Sequence, residues 1–109
     1  MNDKIEIHVA EDFIKTLGAR YDYEGKYSGE NFLKNHLRPK FIQAQDSNQK
    51  LFIYLDGVFG YPSSFVSGSF GKLSVEFGAT PVIKIIELIS TNKLRVEKII
   101  NEIKNPKQK

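Results

Sequence analysis

The chain contains no cysteine. That excludes a disulfide scaffold, a thiolate metal site and a thiol nucleophile, and it suits a reducing compartment. Long apolar runs are missing too; none nears the ~20 residues that a membrane helix requires. The opening stretch MNDKIEIHVAEDF alternates charged and apolar residues, without the apolar core of a secretory signal. A cytoplasmic protein with no membrane association is expected. Histidine is scarce: His8 and His36 are the two, too far apart for a ligand motif, so no metal or cofactor is expected. The excess of one sign of charge over the other is also small. The net +3 owes much to the closing KNPKQK, which carries three lysines and no acid.

A length of 109 residues suits one domain able to bury its own core. We assign it residues 1–104, followed by a basic, solvated, disordered tail over 105–109. No repeat or low-complexity segment interrupts it.

Ile5, Ile7 and Val9 alternate with polar neighbours, the period of a half-buried strand. Residues 19–23 suit a short second strand after Gly18. Ser28 stands where a helix N-cap belongs, with Glu30 in the first turn. Phe32, Leu33, Leu37, Phe41 and Ile42 follow at helical spacing, with Pro39 set to kink the helix or restart it. L-F-I-Y-L, Leu51 to Leu55, is apolar throughout and predicts a central strand covered on both faces. After Pro62, Val66, Phe70, Leu73 and Phe77 mark a helical core face, and Gly78 suits its C-cap. Val82 to Ile89 reads as a strand near a sheet edge. Ser90, Thr91 or Asn92 caps a last helix with Val96, Ile99, Ile100 and Ile103 inward and Pro106 beyond its end. The order β-(β)-α-β-α-β-α predicts an α/β fold: a mixed sheet of about four strands with helices packed on it.

The densest chemistry lies in FGYPSSFVSGSFGKL, residues 59 to 73, with four serines, three glycines and one proline. Gly68-Ser69-Phe70-Gly71-Lys72-Leu73 falls short of a phosphate-binding loop. It has two residues between its glycines where four are needed, and Leu73 where a hydroxyl is needed. Ser67-Gly68-Ser69-Phe70-Gly71 lacks the first glycine of a nucleophile elbow, and both histidines precede it. Ser64, Ser67, Gly68, Gly71 and Ser74 share one side of the predicted helix. Gly68 and Gly71 each cost about 1 kcal/mol of helix propensity. Either close packing on a neighbouring helix or the approach of another protein would offset that. Asp56 reads as a turn residue, or as one that orients a ligand or the serine hydroxyl.

The run LDGVFGYPSSF, Leu55 to Phe65, is the most specific feature. Together with Gly18 and Arg20, SGENF from Ser28 to Phe32, Leu37, Pro39 and FGKL from Phe70 to Leu73, it resembles the bacterial STAS-like domain family of unknown function. That family is related to the sulfate-transporter and anti-sigma-factor-antagonist domains. In the antagonist branch, a serine at this helix start is phosphorylated by a partner with a histidine-kinase-like ATPase fold. The resemblance places Ser63 on the phosphoacceptor position and Ser64 beside it, with Pro62 where that branch has aspartate. It implies a regulatory module, not an enzyme. The expected partner surface comprises Tyr61, Ser63, Ser64, Ser67, Gly68 and Gly71, with Asp56, Arg20 and Ser28 as ligand or orienting residues. A phosphate at Ser63 would meet the positive end of a helix, whereas both serines are otherwise ordinary N-caps. The alternatives are a nucleotide or small-ligand sensor at the same helix start, and nucleic-acid binding through Arg20, Lys26, Arg38 and the nearby tyrosines.

Overall fold

Leu51–Tyr54 forms strand β2, the middle of the sheet, in a computed structural model that describes residues 4–13 and 28–107. Strand β1, Ile5–His8, lies along one side with Ile5 opposite Leu51 and His8 opposite Tyr54. Strand β3, Ile86–Ile89, lies along the other with Ile86 opposite Leu51. Both pairings are parallel, which requires helical crossovers between consecutive strands. The expected mixed, four-stranded sheet is thus corrected to three parallel strands among the described residues. The strand foreseen at 19–23, with Gly18 and Arg20, lies outside them.

Alternation decides which face of the sheet is inside. Ile5, Ile7, Leu51, Ile53 and Ile86 point into a single apolar cluster. Phe52 and Tyr54 point the other way and stay half-exposed, so β2 is fully buried on one face and not on both. Neighbouring side chains shield them in part. The His8 ring stacks on Tyr54 at 4.3 Å, the Lys4 ammonium lies 5.2 Å above Phe52, and the Tyr54 hydroxyl donates to Glu6 at 3.2 Å.

Between β1 and β2 the chain forms α1, Gly29–Phe32, a π-helical turn, Leu33–Leu37, and α2, Arg38–Asp46. Ser28 caps this run as expected, its hydroxyl accepting from the Asn31 amide at 3.1 Å. At Pro39 the run passes from the π-helical turn into α2, the expected restart, without leaving helical structure. The Arg38 amide reaches back five residues to the Leu33 carbonyl, and Pro39 follows in the first turn of α2. The wider turn relieves the clash that a proline ring makes in a regular helix interior.

Between β2 and β3 come α3, Ser63–Val66, another π-helical turn, Ser67–Gly71, and α4, Lys72–Phe77. Gly78 ends α4 at φ +96°, a conformation open to glycine. Helix α5, Ala79–Ile85, follows at once, so the strand expected from Val82 shrinks to its last four residues. Pro81 fits the first turn of a helix, and Val82 gains full burial there. Local start signals outweigh the β-branched composition. Helix α6, Lys93–Lys104, is capped by Asn92, whose side chain accepts from the Arg95 amide. Ile99 and Ile103 are its fully buried anchors, and Val96 and Ile100 are partly covered.

After α6 the Lys107 amide donates to the Glu102 carboxylate at 2.9 Å. Among the described residues no helix is long and apolar enough to cross a membrane.

Candidate functional site

In parallel sheets, loops at the carboxyl ends of the strands are the usual place for binding. Here those are the β2–α3 loop, residues 55–62, and the β3–α6 loop, residues 90–92. Two carboxylate and guanidinium bolts join them. Asp56 accepts from the Ser90 hydroxyl at 2.6 Å, the Thr91 amide at 3.0 Å and the Thr91 hydroxyl at 3.1 Å. The Arg95 guanidinium donates to the Leu55 carbonyl at 3.4 Å and the Val58 carbonyl at 3.3 Å, and lies 4.9 Å from the Tyr61 ring centre. Lys98 adds a bond to the Tyr61 carbonyl at 2.7 Å.

Asp56 is therefore a fastener between loops, and the serine hydroxyl that it orients is Ser90, not Ser63. The Ser90 hydroxyl, then the Thr91 amide, hold its carboxyl below the usual range. A depressed carboxyl stabilises the fold above the unfolded-state value of about 4, and that contribution disappears as pH falls through the folded-state value. The stability difference between wild type and Asp56→Asn is accordingly expected to be largest at neutral pH and to shrink below pH ~4. Urea unfolding at both ends of that range measures it; a difference independent of pH would contradict the bond pattern.

The expected partner surface divides when its burial is read. Tyr61 is inside, its hydroxyl donating to the Leu55 carbonyl at 2.8 Å, and burial pushes its pKa up. Ser67, Gly68 and Gly71 are also buried. None of these four belongs to an exposed docking surface. The small face is small because other chain segments approach it. A methyl placed on Gly29 of α1 would lie 2.5 Å from the Phe65 carbonyl oxygen and 3.1 Å from the Gly68 carbonyl carbon. One placed on Gly71 would lie 2.8 Å from the Glu102 carboxylate of α6. Close packing on neighbouring helices is what offsets the lost helix propensity. The Ser67 hydroxyl is buried with no hydrogen-bond partner among the described residues. Ser69 and Ser74 spend theirs on the carbonyls of Phe65 and Ile103. Ser28 is a buried cap.

Ser63 and Ser64 remain accessible, Ser63 exposed and Ser64 half-exposed. They were expected to cap the helix and do not. Pro62 occupies the N-cap position and offers no side-chain acceptor, so Ser63 is the first helical residue. Neither hydroxyl is engaged among the described residues. Ser63 and Val66 form one wall of a groove of about 450 Å³; the other wall is α6, through Leu94, Lys98 and Asn101.

Two residues that sequence reasoning passed over stand out at this edge. Phe59 is 84% exposed and Leu94 is 76% exposed. The signals were present: Phe59 is an aromatic inside a glycine- and proline-rich loop, and Leu94 is out of phase with Val96, Ile99 and Ile103. Each adjoins in sequence one partner of the Arg95–Val58 hydrogen bond, which brings both to the same edge. Of the residues considered for nucleic acid, Arg38 is paired bidentately with Glu76, and Arg20, Lys26 and the tyrosines 21, 23 and 27 lie outside the described residues. His8 and His36 are apart, one against Tyr54, the other among the Phe13 and Phe32 rings, where burial lowers its pKa. Among the described residues no three His, Asp or Glu side chains converge on a metal-sized site.

Comparison with curated proteins and with solved structures gave no match. The family model described as a STAS-like domain of unknown function (DUF4325) matches residues 28–94, which include both helical crossovers' central segments, the fastened loops and the start of α6. Because that match covers more than half of the 109 residues, the chain belongs to the family of STAS-like domains of unknown function.

Proposed function

We propose that this domain is a non-enzymatic regulatory module that binds a protein partner through the edge carrying Phe59, Pro62, Ser63 and Leu94. One observation carries the reading: two large apolar side chains are held in water on a rigidly fastened edge. A single exposed apolar residue is ordinary. Two at one edge, on loops pinned by Asp56 and Arg95, form a pre-organised contact that loses little entropy on binding. Asp replacement of both Phe59 and Leu94 is expected to leave the melting temperature within a few degrees of wild type and to abolish co-purification of the partner. An unchanged set of bound proteins would refute the docking edge.

Ser63 supports a switch at the same place. Its hydroxyl is exposed, unengaged and at the head of a helical run, so a phosphate there would add about two negative charges beside the apolar pair. A histidine-kinase-like ATPase is the proposed source. Incubation with that ATPase and ATP should add one phosphate by intact mass, lost in Ser63→Ala; no addition at saturation would remove the switch while leaving the docking edge. The groove beside Ser63 favours the second reading, a small-ligand or nucleotide sensor. Thermal stabilisation by a nucleotide alone would select it.

A further inference from the structure

We infer that the segment bound at this edge is acidic and amphipathic and lies along α6, an inference that rests on the docking reading above. Leu94, Lys98 and Asn101 recur at helical spacing, so they share one face of α6 and line the groove together. Twelve residues of helix give that face a length of about 18 Å, enough for several turns of a partner helix. The groove itself, about 450 Å³, has room for a few side chains and not for a whole helix. Leu94 supplies its exposed apolar contact, with buried Val66 behind it.

The charge around it is unbalanced. Lys93, Lys98, Lys104 and Lys107 are exposed, and none forms an ion pair among the described residues. Lys98 and Lys107 line the groove, together with two acids. Glu97 is exposed, but Glu102 is buried against Gly71 and accepts from the Lys107 amide. Along α6 and the segment after it, four exposed lysines thus stand against one exposed carboxylate, Glu97. Lys98 is held in place by its bond to the Tyr61 carbonyl and keeps two further donors for a partner. Carboxylates flanking an apolar stripe complement this surface. A nucleic-acid backbone would find the lysines, but it would also meet Leu94 and Glu97 at the centre.

The test uses the full chain and helix-forming peptides of about 14 residues, with leucines on one face. The flanking positions carry Glu in one peptide, Gln in a second and Lys in a third; a mixed-sequence single-stranded oligonucleotide is the fourth probe. In fluorescence anisotropy at low salt, the Glu peptide is expected to bind ~10-fold tighter than the Gln peptide, with the Lys peptide weakest. Its affinity should fall several-fold as salt shortens the screening length. Lys107→Glu, which leaves the Tyr61 bond of Lys98 intact, should weaken it severalfold without changing the melting temperature. Equal binding of the Glu and Gln peptides, indifference to Lys107→Glu, tighter binding of the oligonucleotide, or no peptide binding would overturn the inference. If the acidic preference fails while the Phe59 and Leu94 substitutions still strip the partner, the docking reading stands alone. If both fail, both fall.

Discussion

Phe65→Ala is expected to destabilise the fold by about 3–5 kcal/mol, the range for deleting a buried aromatic ring. Phe65 is fully buried two residues after Ser63. Its ring centre lies 5.5 Å from Phe32, 6.1 Å from Phe13 and 6.4 Å from Tyr61. It therefore joins α1, the segment after β1 and the fastened loop. Domains of this size have about 5–15 kcal/mol in total, so the loss would consume a large part of it. Urea unfolding measures the effect. Phe65→Leu keeps most of the volume and should cost less. Phe59→Ala is the matched control: its ring is in solvent, and a change within about 0.5 kcal/mol is expected. Similar costs for Phe65→Ala and Phe59→Ala would mean that the assignment of inside and outside is wrong.

Gly29→Val is the second large effect, about 3 kcal/mol and at the upper end for overpacking. Its Cβ would meet the Phe65 carbonyl oxygen at 2.5 Å and the Phe65 carbonyl carbon at 3.2 Å. These are backbone atoms of a packed helix and cannot swing aside. Helix propensity works in the opposite direction. Replacing glycine by alanine gains up to about 1 kcal/mol, and by valine less. The clash decides the sign in both cases, so Gly29→Ala should also destabilise, though by less. Gly60→Ala, where a methyl meets no atom within 4 Å, should be near neutral. Thermal and urea unfolding of the three variants checks the ranking. A stable Gly29→Val would show that α1 and α3 do not approach as described.

These two positions also show where sequence reading reaches and where it ends. Strand β1 was readable because the alternation of Ile5, Ile7 and Val9 is local, and Ser28 because capping involves only the next turn. Leu51 to Tyr54 was readable as a strand, but coverage of its second face was not, since that depends on what packs above Phe52 and Tyr54. The small face was readable as a stripe. Its direction was not, because Gly29 and Glu102, which fill it, come from distant parts of the chain. Asp56 likewise finds Ser90 and Thr91 across the strand ends, a pairing that no local pattern announces. Val82 to Ile85 misled because β-branched composition was weighed above the adjoining Gly78 and Pro81. The π-helical turns before Pro39 and at Ser67–Gly71 adjust the chain to non-local packing and left no separate mark.

At the proposed site, Ser63 is exposed, whereas most of the surface expected around it is buried. Tyr61, Ser67, Gly68 and Gly71 face inward; Phe59 and Leu94 face out. The difference arises because Arg95 and Lys98 take hold of the loop through its carbonyls, turning Tyr61 in and leaving Phe59 outside.

Photo-crosslinking in the native cell addresses the docking edge most directly. A photoreactive residue placed at Phe59, at Leu94 or, for comparison, at exposed Thr80 reports which surface meets another protein. The account predicts one shared partner adduct from positions 59 and 94, none from position 80, and renewed binding when that partner is purified. Adducts of equal yield from all three positions, or from position 80 alone, would contradict it.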